Sequence, residues 1–482
     1  MSYGELSNTQ ETMVLPMLQM KNIRGKPYIT VSAKGMINGL SNIPNDGADF
    51  GPDTTKGATA LGQYGGTYTD TYGWQETFNY IASKGGGSIY FKAGVYNFTN
   101  APVQTAPVSG SACKVYFPVI AQPNYYGMQG VKFIFETPYW LNGVQQVEFT
   151  PDIAGYGVIV YDNQPSPSSS SDGYNEILFD STSSPSNRSM IQLETEGTLA
   201  VYVPLSFVSA ITFGNIAGIE ADTFVVATLS PTGNNLTSYN NSASGSLAHG
   251  ISTPSVGAYY PLHFKHINAF YFSGAGVDLL SGSVYIDFLE TEANIIGIWI
   301  TNGLSPVHII NWMTQADYVA LQVQSSGYAK MIVELMEIYN PQYSSLTPQN
   351  TFAYVSGSNV DINILNWDSS NDSTFLPTFN SSWPAGSTKI NPKSMQGQSL
   401  TLTTPSVPTS GTAQENTNPY AVDVYVYGGD VTEIQITKGG TAYTVFSVST
   451  AIAMSGQAYK LNPGDSITVT YSTAPTWEWL SD

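Results

Sequence analysis

Between about residues 100 and 390 the chain is a succession of short alternating apolar and polar runs, broken by Gly, Asn, Ser and Pro. Alternation of period two predicts strands, and no long stretch there carries the spacing of an amphipathic helix. The runs also repeat. Ile296-Gly-Ile-Trp-Ile300 returns as Val319-Ala-Leu-Gln-Val323, 23 residues on, and as Thr351-Phe-Ala-Tyr-Val355 after another 32, with 341–350 as an inserted loop. A second strand keeps step: Ile310-Asn-Trp312, Val333-Glu-Leu335 and Leu365-Asn-Trp367, with Ile286-Asp-Phe288 and Phe264-Lys-His266 one and two coils earlier. Such periods predict coils stacked along an axis, each burying its inward face on its neighbours. Three polar loops interrupt them, at 164–173, 229–257 and 368–392.

One segment departs from the strand pattern. Trp74, Phe78 and Ile81 fall at i, i+4 and i+7, one face of a short helix, with Asp70 or Thr71 placed to cap it. Gly85-Gly-Gly87 ends it, Ser88 to Phe91 reads as a strand, and Lys92-Ala-Gly94 as a tight turn. With Asn45-Asp-Gly-Ala-Asp49 upstream, this segment resembles the opening of pectate-lyase-like right-handed parallel β-helices, viral tailspikes in particular. Those begin with a D-G-A-x-x-D element, a short helix led by D-T and Gln, and a strand ending in a P-x-G-x-Y turn. The match spans about 55 residues; Lys92 stands where the family has Pro, while Gly94 and Tyr96 are in place.

The resemblance implies an all-β fold, a right-handed parallel β-helix over 41–392, and a homotrimeric assembly. It also implies a virion surface location, with host cell-surface glycans as the ligand. Residues 1–40 form a lead that holds four of the 16 basic residues, Lys21, Arg24, Lys26 and Lys34. This arm either attaches to other virion proteins or caps the next domain. A linker over 393–418 precedes alternating strands at 419–482, which predict a small β-sandwich. That region resembles small C-terminal β-domains on structural proteins of thermophile viruses.

Composition narrows the function classes. Sixteen basic against 35 acidic residues give a formal charge of -19, which argues against nucleic acid as a partner. Only 11% of residues are charged, against roughly 25% in an average soluble protein. The single Cys113 excludes an intrachain disulfide framework, and with four scattered His residues no metal or other cofactor is expected. No run of 18 apolar residues predicts a membrane span. The amino terminus lacks the basic and apolar regions of a secretory signal, so either a signal was removed or the protein leaves the cell within a larger particle.

Two outward columns carry candidate chemistry. In the second strand the alternation turns Lys265, Asp287, Asn311, Glu334 and Asn366 outward. Asp287 and Glu334, two coils of about 4.8 Å apart, approach the ~6.5–9.5 Å separation of an inverting glycosidase. Glu290 and Glu337 lie three residues beyond each. These four are the catalytic candidates, and a solvated polar ladder is the alternative. The first strand turns Asp278, Trp299, Gln322 and Tyr354 outward. Aromatic rings beside amides and carboxylates suit glycan binding; a trimer interface or a covering loop explains the same column. Lyase chemistry needs a basic residue in the solenoid, and Lys265 is the one basic member of these columns. The expectation is a glycan-recognising virion spike. A polysaccharide-degrading enzyme of the same fold is the first alternative, and a structural or adhesive cell-surface protein the second.

Overall fold

The computed structural model describes residues 28–33, 48–52, 71–98, 104–105, 112–117, 129–136, 140–141, 144–145, 157–162, 174–179, 191–203, 208–214, 216, 218–228, 248–253, 261–280, 283–300, 304–315, 317, 319–324, 328–339, 351–356, 359–368, 378–379, 388–390, 404–417, 421–462 and 464–481. The chain is all-β apart from one helix among these residues, and its strands form parallel sheets of the β-helix type. It divides into two compact units, Met1–Asp287 with Thr291–Ile298, and Phe288–Glu290 with Trp299–Asp482.

In the first unit one sheet runs, in hydrogen-bonded order, through Tyr28–Val31, Gly87–Phe91, Gln129–Phe135, Ile191–Glu196, Gly218–Thr228 and Leu262–Phe270, all parallel. Tyr28–Val31 therefore belongs to the sheet although it lies within the 1–40 lead; 1–27 and 34–40 lie outside the described residues. A second parallel sheet runs through Ala112–Phe117, Tyr174–Phe179, Val208–Phe213, Ile251–Ser252 and Ala275–Leu279. Successive coils place like on like. Val115, Ile177, Ile211, Ile251 and Val277 form one register column, and all are buried. Phe117, Phe179 and Phe213 form the next, with ring centroids 6.4 and 5.2 Å apart.

The helix Trp74–Ser83 packs against the start of this stack. Trp74 meets Phe91, Tyr96 and Phe98, while Phe78 lies 5.5 Å from Phe133, and all are fully buried. Gln75 joins the backbone of Tyr116: its Nε2 donates to the Tyr116 carbonyl at 2.8 Å, and the Tyr116 N–H donates to its Oε1 at 2.9 Å. One side-chain amide thus satisfies a strand's peptide groups as another strand would. The cap differs from the expectation. Gly73, in the left-handed region at φ 78°, precedes the helix without a side-chain cap, and Thr71 contributes only its carbonyl to the Trp74 N–H. Asp70 lies outside the described residues. Gly197, at φ 80°, turns Ile191–Glu196 into Thr198–Val203; a Cβ there would sit 2.2 Å from the Phe135 carbonyl oxygen.

The long strands bend, and each bend resets the alternation. Lys265 and His266 both leave the core between buried Phe264 and Ile267, as Asp287 and Phe288 do between Ile286 and Leu289. In the second unit Ile310 and Asn311 do so between Ile309 and Trp312, and Glu334 and Leu335 between Val333 and Met336. The second-strand register therefore runs one residue away from the sequence expectation. Ile309 pairs with Val333 and Ile364, and Asn311 with Leu335 and Asn366, so Glu334 sits between Ile310 and Leu365. Ile310 and Leu365 are 45% exposed rather than inward. The first-strand register agrees with the expectation, Gln322 pairing with Tyr354 and Val323 with Val355.

The C-terminal strands form one antiparallel sheet. Val422–Lys438 is central, flanked along its length by Thr441–Leu461 and on its other side by Ser466–Thr473 and Thr476–Ser481. Left-handed glycines at 428, 429 and 456 accompany register shifts in the two long strands. Side chains from both halves, including Val424, Ile434, Met454, Val469 and Trp479, share one core.

Phe133→Ala removes a ring that touches Phe78, Phe91 and Phe179. It is expected to cost about 3–5 kcal/mol, read from the chemical denaturation midpoint. Ile310→Ala should change stability by less than ~0.5 kcal/mol, and a core-sized loss there would contradict the bent register.

Candidate functional site

The bends place ionisable side chains on the outer face. In the first unit, His263 on Leu262–Phe270 stands opposite Glu220 on Gly218–Thr228 in the parallel register. Its Nδ1 lies 2.9 Å from Glu220 Oε1 and its Nε2 3.0 Å from Asp287 Oδ1. Both ring nitrogens face carboxylates, so the doubly protonated imidazolium donates twice. Partial burial opposes that charge, but the hydrogen bonds to Asp287 and Glu220 outweigh it and raise the His263 pKa. One position along, Asp222 accepts the Gly197 N–H at 2.9 Å and faces the Lys265 ammonium at 3.9 Å. Tyr285, two residues before Asp287 and on the same face, is 39% exposed. Lys132 completes the pattern on earlier coils, meeting Glu194 at 2.8 Å and also Glu196.

The second unit repeats the motif. His308 Nε2 lies 2.8 Å from Glu334 Oε1, and the Tyr339 hydroxyl donates to Glu337 Oε2 at 3.1 Å. His308 is half-buried and pairs with a carboxylate. Of the four catalytic candidates, then, Asp287 is held by His263, Glu334 by His308 and Glu337 by Tyr339, while Glu290 is partly exposed. What Asp287, Glu334 and Glu337 share is a carboxylate beside a group that can move a proton, the minimum for acid–base work and equally a hydrogen-bonding surface for a polar ligand.

The first-strand column is elsewhere than expected. Asp278, Trp299 and Gln322 are 5%, 4% and 1% exposed. Ala275–Leu279 and Ile296–Ile300 are buried on both faces, as is most of Val319–Gln324. The expectation that this column faces water is therefore corrected. Asp278, Trp299 and Gln322 lie within the chain's interior and offer no open sugar platform. The Tyr354 side chain lies outside the described residues. Ser252 Oγ donates to Asp278 Oδ2 at 3.3 Å, yet burial dominates and pushes the Asp278 pKa up to about 7.

Sequence reasoning missed the imidazoles because nothing in their local context marks them. The signal lay in register, since Glu220 and His263 become neighbours only once the two strands are paired. Among the described residues no group of three or more His, Cys, Asp or Glu side chains is arranged to hold a metal ion. No described helix is long and apolar enough to cross a membrane. No family model, curated protein or solved structure matches this chain.

Two pH dependences follow from these environments. The folded His263 pKa lies above its unfolded value, so its contribution is complete below about 6.5 and is lost as pH rises through the folded value. His263→Gln should therefore destabilise by up to about 1 kcal/mol in acid and hardly at all in mild alkali, seen in urea midpoints measured across pH. For Asp278 the fold favours the protonated carboxyl, so stability is complete below the unfolded pKa of about 3.9 and declines as pH rises through about 7. Asp278→Asn should gain melting temperature over wild type across that window; an unchanged difference from acid to alkali would contradict the burial of a titrating group.

Proposed function

We propose that the protein is a surface-exposed spike, of the kind virions carry, that recognises a host glycan. The observation that carries this reading is the outer face of the first unit. There Glu220, His263 and Asp287 form one hydrogen-bonded row, with Tyr285 exposed on the same strand as Asp287. Sugars are bound by planar polar groups that meet hydroxyls and by rings that meet apolar pyranose faces, and this row offers both. The resemblance of the opening segment to tailspike β-helices supports the viral setting, with residues 1–40 attaching to other virion proteins.

We place assembly, as a homotrimer, at the C-terminal sheet. Among the described residues, five of the eight exposed large hydrophobics are there: Tyr427, Tyr443, Val445, Ile452 and Leu480. Thr441–Leu461 lies at one end of the strand order, and from 441 to 459 it holds neither a charge nor a proline. Such an edge, without the devices that keep edges apart, favours pairing with another chain.

A glycan array on the full chain, read for binding and for released reducing ends, tests the reading. Binding without release is expected, weakened about tenfold or more by Tyr285→Ala, the loss of roughly 1.4 kcal/mol. Released product that disappears in Asp287→Asn or Glu334→Gln would replace the spike with a polysaccharide-degrading enzyme. No binding, together with a monomer by light scattering at micromolar concentration, would overturn the proposal.

A further inference from the structure

The interior of the first unit holds three ionisable side chains that the surface reading does not use. Lys114 lies on Ala112–Phe117 and Glu176 on Tyr174–Phe179, facing each other between the register pairs Cys113–Asn175 and Val115–Ile177. Asp162 ends Val158–Asp162, a strand of the other sheet, which pairs with Gly94–Phe98 and Thr198–Val203. Lys114 is 3% exposed, and Asp162 and Glu176 are 0% exposed. The Lys114 ammonium nitrogen sits 3.5 Å from Asp162 Oδ1.

We propose that Lys114 and Asp162 join through an intramolecular isopeptide bond, with Glu176 as the proton shuttle, so that the two sheets become covalently linked.

The chemistry needs no partner from outside. Transfer of a proton from the ammonium to the Asp162 carboxylate leaves a neutral amine beside a carboxylic acid, and a dry interior penalises the charged pair they replace. The nitrogen lone pair attacks Asp162 Cγ while the Glu176 carboxyl donates a hydrogen bond to the carbonyl oxygen on which charge develops. Glu176 then gives its proton to the departing hydroxyl and takes one from the nitrogen. One C–O bond breaks, one C–N bond forms, one water leaves, and Glu176 is regenerated with no change of oxidation state. Two strands of different sheets hold the amine against the acid, with Lys114 Nζ 3.5 Å from Asp162 Oδ1, which makes the condensation intramolecular in place of an unfavourable bimolecular one. Burial, then the neighbouring Asp162 carboxylate, push the Glu176 pKa well up, while Lys114 opposes the shift, the direction that favours the protonated carboxyl a shuttle needs.

The geometry also explains why the trio is composed as it is. A buried lysine paired with one carboxylate is a complete ion pair, and the second carboxyl at Glu176 adds cost to an interior otherwise built of Val115, Ile177 and Phe117. A structural ion pair gains nothing from it, whereas an amide-forming centre needs a group that protonates the leaving oxygen.

The test is the intact mass of the full chain, purified folded and then denatured. The expected mass is lighter than the sequence by one water, and digestion should release a branched peptide joining the segments that carry Lys114 and Asp162. Lys114→Arg should show the full sequence mass. Glu176→Gln should form the bond about 10²–10⁴-fold more slowly, followed as mass loss over time in the folded protein. A wild-type chain that keeps its full mass on prolonged incubation overturns the proposal, and so does a water loss that maps to a linear peptide. If either variant fails to fold, the branched peptide of the wild type decides the matter alone.

Discussion

The described inward side chains of the solenoid are buried by neighbouring coils and by the facing sheet, as Phe133 is by Phe117 and Phe179. Stacking in register then favours side chains of similar kind at the same position of successive coils. The column Val115, Ile177, Ile211, Ile251, Val277 meets that constraint with aliphatics, and Phe117, Phe179, Phe213 meets it with rings. The constraint also demands a beginning. Among the described residues, Trp74 and Phe78 of the helix supply apolar surface at the start of the stack, while Gln75 supplies hydrogen bonds to Tyr116. The helix is thus the boundary condition of the stack.

The same constraint decides what reaches the surface. A strand that must stay in register with its neighbours while turning a corner spends two consecutive residues on the outside of the bend. Those pairs, Lys265 with His266 and Asp287 with Phe288 among them, are where charge is solvated at little cost and where cross-strand partners of opposite sign meet. The outer face is a by-product of the bending, and its ion pairs are spaced by the coil repeat.

The sequence pattern made the fold class and the opening helix legible because both rest on local periodicity. Trp74, Phe78 and Ile81 mark one helix face whatever follows, and the first-strand repeat, Gln322 over Tyr354, involves straight segments where period two holds throughout. The second-strand repeat fails by one residue for a physical reason. Ile310 and Leu365 look like core positions in a straight strand, and only the bend turns them out. The cap at Gly73 was hidden because a left-handed glycine competes with the expected hydroxyl and leaves no side-chain signature. The burial of Asp278, Trp299 and Gln322 was illegible because alternation reports only which side of a sheet a residue takes, not whether that side is covered.

The charged residues divide by the cost of their setting. On the outer face, Glu220 with His263 and His308 with Glu334 keep much of their hydration, so each pair can be exchanged for others with little loss and is free to be shaped by a ligand. Inside, Lys114, Asp162 and Glu176 have given up nearly all of theirs, and so has Glu76, whose pKa burial pushes up to about 7. Glu76 can settle that cost alone by holding a proton. Lys114 and Asp162 can settle theirs by opposing each other's charge, but the settlement is strained by Glu176 at the same place. An amide would remove both charges at once and leave the most densely ring-packed part of the stack, around Phe117, Phe133 and Phe179, tied across its two sheets. In a fold whose coils are held together by hydrogen-bonded ladders and side-chain contact, a covalent tie near the capped end would act where unwinding would otherwise begin.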